Sequence, residues 1–241
     1  MRRRTKWAAL TGALLLTGSL ASLASCAFDN GEPSDDEMRR YGSSSQARSN
    51  RADAERALRD RVAAFTKGTD LDLTLLRLQW SCGGGQRPEL FDAQQDPYAF
   101  NCSMQAYAYY GTDTPVPTVL RKIDAAALGE WGTAPGGDGT VERALDYYRL
   151  KGVQGGVELG SPRLADPTVE VSWDDSLRGT TIQEPVMYCP DPPPPEDSGR
   201  CVNEPAGTTV AQLRERHDTV FQVHFRPESY FQVSWETHEK N

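Results

Sequence analysis

Arg2, Arg3, Arg4 and Lys6 open the chain, and Trp7 to Leu23 then run apolar or small without a single charge. A basic start followed by an uncharged apolar stretch is the layout of an export signal, so residues 1–25 are expected to direct the chain across a membrane and be removed. This fixes the chemistry in which everything downstream folds, because cysteines oxidise outside the cytoplasm. Of the five cysteines, Cys26 closes the signal, and Cys82, Cys102, Cys189 and Cys201 lie beyond it. An even set of four reads as two disulfides. Cys82–Cys102 with Cys189–Cys201 is the favoured pairing, because each bond then brackets one loop-like stretch between regular segments. Each closure is expected to stabilise by about 2–4 kcal/mol. The close Cys/His spacing of a zinc site is absent, so no metal is expected, and no free thiol is left for catalysis.

Leu23-Ala24-Ser25-Cys26 resembles the lipobox of bacterial lipoproteins, in which an aliphatic residue and two small residues precede the cysteine that is modified. The resemblance covers only the first 26 residues. It implies cleavage behind Ser25, a diacylated Cys26 as the mature N-terminus, and a protein held by that lipid on the outer side of the cell membrane. A plain transmembrane anchor would use an apolar run of similar length. A stop-transfer helix wants basic flanks, however, whereas Cys26 leads into sequence rich in Ser, Asp and Gly.

Removing residues 1–25 takes away four positive charges and leaves 22 Lys+Arg against 34 Asp+Glu, a formal charge of −12. Nucleic-acid binding needs a basic footprint, so nucleic acid is not an expected partner. Acidity also keeps the protein off an anionic lipid surface, which leaves the acyl chains to hold it. The 21 aromatic residues require a buried core.

Residues 26–50 are polar, with Met38 and Tyr41 as the only sizeable apolar side chains after Phe28, and read as a flexible tether. An extracytoplasmic domain is expected over 51–241. Ala54, Leu58, Val62 and Phe65 repeat at helical spacing behind an Asn50 cap, and Gly68 is expected to end that helix. Leu71 to Trp80 alternates as a strand with a slip near Leu75 and Leu76. Cys102 to Tyr110 alternates as a second, with Met104, Ala106 and Ala108 on one face and Gln105, Tyr107 and Tyr109 on the other. Val116–Ala127 and Val141–Tyr148 read as helices, Val169–Trp173 as a strand, Thr180–Tyr188 as an edge strand broken by Pro185, and Thr208–Arg216 as a short helix. Phe221, Val223 and Phe225 are expected to face Phe231, Val233 and Trp235 in a hairpin turning at Arg226–Ser229.

This order gives an α+β class, an antiparallel sheet with helices packed on one side. Glu-Arg-Ala-Leu occurs at 55–58 and again at 142–145, and three strands end on Trp80, Trp173 and Trp235. A duplicated helix-strand-strand unit, with halves 51–112 and 113–241, would explain both.

Residues that carry chemistry are few. His217, His224 and His238 have no metal-ligand spacing and read as surface histidines. Nucleophile-elbow, phosphate-loop and Ser-x-x-Lys patterns are missing, so neither covalent catalysis nor a cofactor is expected. Asp70/Asp72 and Asp174/Asp175 are the tidiest carboxylate pairs, for which solvated strand ends and turns are the plain explanation. The Cys189–Cys201 stretch carries Pro192, Pro193, Pro194 and Pro195, a stiff polyproline II run that could dock an aromatic groove or merely stiffen a loop. Tyr107 and Tyr109 form a second candidate binding surface unless a helix covers that side of the sheet. Two readings follow. One is a non-catalytic, membrane-anchored envelope lipoprotein that binds a partner protein, cell-wall glycan or small solute. The alternative is an envelope hydrolase using paired carboxylates.

Overall fold

Two long strands, β2 (Tyr98–Thr112) and β8 (Thr219–Ser234), pair antiparallel along their whole lengths and form the centre of a six-stranded sheet. β1 (Asp72–Gly84) and then β7 (Gly199–Glu204) continue the sheet beyond β2, while β6 (Val169–Trp173) and β5 (Leu164–Ala165) continue it beyond β8. Each neighbouring pair is antiparallel. The computed structural model describes residues 31–86, 96–133, 139–185 and 199–239. Within these the α+β class holds, and no helix is long and apolar enough to cross a membrane.

Three helices cover one face. α2 (Ser45–Thr69) lays Leu58, Val62 and Phe65 on the sheet, beside α3 (Val116–Ala125) and α4 (Val141–Arg149). Opposite them, β2 supplies the small Ala106 and Ala108, which leave room for Phe221 and Phe225 of β8 in the same cluster. α2 starts ahead of the expected Asn50 because the Ser44 side chain accepts from the Ala47 amide, and Asn50 instead donates to the Tyr230 carbonyl. Gly68 does not stop the helix. It lies inside it because Ala126 packs so close that an added Cβ would come within 2.9 Å of its methyl. Asp70, at φ 55°, makes the left-handed cap.

The expected tether is ordered well before residue 50. Ser34 and Glu37 form a reciprocal capping box that starts α1 (Asp35–Gly42), satisfying backbone donors that would otherwise be left to water. Tyr41 then packs on Phe100 at 5.5 Å between ring centroids, and Met38 packs on the same cluster. The two apolar residues of this polar stretch are thus its anchors, and the compact unit begins at Gly31. Beside this corner, Cys82 and Cys102 stand opposite each other on β1 and β2 and form the expected disulfide. The slip in β1 is a register shift between Leu73 and Leu75.

The hairpin expected around residues 226–229 does not form. β8 runs straight through, its first half pairing Phe225 with Ala106 and its second half pairing Phe231 with Cys102. Arg226 and Pro227 bulge opposite Gln105, where proline's missing N–H interrupts no ladder bond, and the Arg226 amide turns to the Thr168 carbonyl. Because β2 is long enough to pair with both halves, folding β8 back on itself would discard hydrogen bonds. Trp235 accordingly opens α6 (Trp235–His238) rather than closing a strand. The second repeat fails with the hairpin. Residues 181–185 carry no strand, Thr180 makes a lone bridge to Asp175, and β6 pairs with β8 instead. Strands from 51–112 and from 113–241 share one sheet, with β2 and β1 lying between β8 and β7.

Helices do not stay on one side. α5 (Val210–Arg214) crosses the opposite face and buries Leu213 completely with Tyr109, Leu75 and Val220. Leu213→Ala is expected to cost about 2–4 kcal/mol, as for a buried leucine that leaves a cavity. Urea unfolding measures it, and a loss below about 1 kcal/mol would show α5 to be a peripheral turn.

Candidate functional site

The face of the sheet opposite α2 is divided. At one end α5 and Ile182 cover Tyr107, Tyr109 and Leu75. Arg214 holds this cover in place: its guanidinium donates to both Asp174 oxygens and to the Ile182 carbonyl, and Asp174 also accepts from the Ile182 amide. Tyr107 and Tyr109 are therefore core and not an exposed aromatic surface, with Tyr109 wholly buried. Alternation aimed them correctly, but covering an aromatic pair removes far more apolar area from water than leaving it exposed. Burial pushes the Tyr109 hydroxyl up to about 12, while Arg77, over its ring and paired with Glu184 at 2.7 Å, opposes the shift.

At the other end the same alternation presents amides and hydroxyls, which are half-buried at Gln79, Ser103 and Gln105. His224 of β8 stands opposite Tyr107 and diagonal to Gln105 of β2, which stands opposite Gln79 of β1, and the three side chains form a hydrogen-bonded ladder. Nε2–H of His224 donates to Gln105 Oε1 at 3.0 Å, and Gln105 Nε2 donates to Gln79 Oε1 at 2.8 Å. The imidazole also stacks on Tyr107, with centroids 4.2 Å apart and planes within 6°, so its orientation is fixed from two directions. The ladder leads into a cleft of ≈ 470 Å³ whose walls include Ser81, Asn101, Ser103, Ser229 and Gln232. The Cys82 end of the disulfide and Gly83–Gly85 line its β1 side. Neither the glutamine ladder nor the cleft was singled out from the sequence, although the polar beat Gln79, Ser81 and Ser103, Gln105 was visible there.

The remaining sequence candidates fall elsewhere. Cys201 stands opposite Gln79 on β7 and is disulfide-bonded, while Cys189 and Pro192 to Pro195 lie outside the described residues, as does Cys26. The paired carboxylates do not converge. Asp70 is exposed and paired with Lys122, and Asp174 belongs to Arg214. Asp175, almost wholly buried, accepts from the Tyr147 and Ser161 hydroxyls and the Leu177 amide. Burial and that carboxylate push the Tyr147 hydroxyl up to about 12. The histidines are not surface residues either. His238 is 9% exposed and bonded to the Tyr41 hydroxyl at 3.1 Å, and His217 packs over Gly111, where an added Cβ would strike its ring. No group of three or more potential metal ligands exists among the described residues.

Comparison of the chain with protein families, with curated proteins and with solved structures finds no match.

Burial holds the His224 imidazole below its ordinary value of 6.5, with Glu170 opposing and Arg226 adding to the depression. The unfolded chain takes up a proton near that value and the folded ring resists it, so this contribution is intact above about pH 6.5 and is lost as the pH falls toward the folded value. Wild-type protein is therefore expected to lose stability relative to His224→Gln over that interval. Urea midpoints of both proteins across it would decide, and a difference independent of pH would contradict the assignment.

Proposed function

We propose that this is a lipid-anchored, non-catalytic recognition protein of the bacterial cell envelope, attached through Cys26 outside the cytoplasmic membrane. Its target binds the half of the sheet face that α5 leaves open. The observation that carries this reading is the His224–Gln105–Gln79 ladder running into the cleft. Polar side chains already held in one orientation lose little freedom on binding, so their hydrogen bonds to a ligand are offset less by ordering. A concave, polar-lined site of this volume is within the range of natural ligand sites.

Recognition is favoured over hydrolysis by where the carboxylates go. Acid/base cleavage of a glycosidic bond wants two carboxyl groups facing one substrate. Asp174 and Asp175 are instead bound into separate structural networks, one holding α5 and the other α4. The acidic net charge supports attachment by lipid and not by attraction to anionic headgroups. The lipobox residues Leu23 to Cys26 support the anchor itself.

The test is photo-crosslinking in intact cells, with a benzophenone amino acid placed at Ser81 on the open face or at Val157, which is 66% exposed on the short hairpin β3 (Val153–Gln154) and β4 (Val157–Glu158). A discrete adduct from position 81, absent from position 157, is expected. In parallel, Cys26→Ala should abolish incorporation of labelled fatty acid. Adducts from position 157 alone, or from neither position, would contradict the proposed surface, and label retained on Cys26→Ala would contradict the anchor.

A further inference from the structure

We infer that the cleft at the end of the open face takes an uncharged, polyhydroxylated ligand, a neutral saccharide unit. The inference rests on reading that face as the recognition surface and adds the chemical class of what is recognised. Among the described residues lining the cleft there is no lysine or arginine and a single carboxylate, Asp96. An anionic ligand would find no cation among those residues and would be repelled by Asp96. What the walls do offer is hydroxyls from Ser81, Ser103 and Ser229 and carboxamides from Asn101 and Gln232. Hydroxyls and carboxamides both donate and accept, which is what sugar hydroxyls require of a partner.

One atom in the wall lacks a partner. Asn101 Oδ1 is buried and accepts no hydrogen bond. That oxygen has no accessible surface in the free protein, so a ligand hydroxyl reaches it only when the Asn101 side chain turns toward the cleft, a movement favoured by the unmade hydrogen bond. The carboxylate is held ready on the other side, since Asp96 Oδ2 accepts from the Gln86 amide at 3.0 Å and the Asp96 carbonyl from the Trp235 indole at 2.9 Å. Tyr98, half-buried beside Asp96, supplies an aromatic surface for the apolar face of a sugar ring. The glycines make the floor. At Gly85 an added Cβ would come within 2.0 Å of the Tyr98 carbonyl, so that position must stay bare for β1 to reach the strand beside it. At Gly83, directly opposite Asn101, an added Cβ would meet nothing within 4 Å. A side chain there fits the fold and fills the cleft.

That difference gives the test. Full-length protein in detergent micelles is titrated with four neutral tetrasaccharides, maltotetraose, chitotetraose, xylotetraose and laminaritetraose, and with the anionic tetragalacturonate. The readout is the NMR shifts of the Asn101 and Gln232 side-chain amides. At least one neutral tetrasaccharide should shift both amides. Gly83→Phe should weaken that binding by about tenfold or more, and Gln232→Ala, an exposed substitution that leaves the core untouched, by roughly threefold to tenfold, the worth of one hydrogen bond. Tetragalacturonate should leave both amides in place. Failure of all four neutral sugars to move them, or an equal response to tetragalacturonate, would overturn the inference. If adducts from position 81 persist in that case, the ligand class falls while the surface stands; adducts from position 157 alone would remove the surface itself.

Discussion

The antiparallel pairing of β2 with β8 is the constraint on which both faces of the protein depend. Once Ala106 lies opposite Phe225 and Tyr109 opposite Gln222, the two-residue alternation of a strand assigns every other side chain. Small residues of β2 go toward α2 and leave room for phenylalanines from β8, which gives the main core its density. The tyrosines go to the other side and cannot be left in water, so that side needs a cover. α5 provides it, clamped by Arg214 on Asp174. The cover is five residues long and the strands are three times that length, so among the described residues α5 and Ile182 cover one end of the face.

The elements with strong periodicity were legible in the sequence. Helices over 54–65, 116–127 and 141–148 and strands over 71–80 and 102–110 follow from apolar spacing and end signals, within a few residues of where α3, α4 and β1 run, and the irregularity between Leu73 and Leu75 shows as an alternation broken near Leu75 and Leu76. Residues 35–42 escaped because their helix depends on a capping box and one buried tyrosine, not on an apolar stripe. Residues 226–229 misled because Pro-Glu-Ser is turn chemistry, and only a partner strand as long as β2 makes a bulge the better solution. The tyrosines were aimed correctly, but what lay over them was decided by a segment a hundred residues later in the chain, a relation that local pattern does not carry.

The candidate site was less legible for a related reason. Gln79, Gln105 and His224 are unremarkable polar residues on the solvent beat of three separate strands, and register alone brings them into one ladder. Sequence features that looked distinctive, such as the carboxylate pairs, turn out to hold the scaffold: Asp174 and Asp175 tie α5 and α4 to the end of β6.

The most direct measurement of this account is the set of cross-strand Hα–Hα NOEs made by β8. A continuous strand predicts contacts from β2 to both of its halves, from Ala108 to Val223 and from Cys102 to Phe231. Contacts between Phe225 and Phe231 with none from β2 to the second half would mean that β8 folds back as a hairpin. In that case neither the division of the sheet face nor the cleft at its end would exist as described.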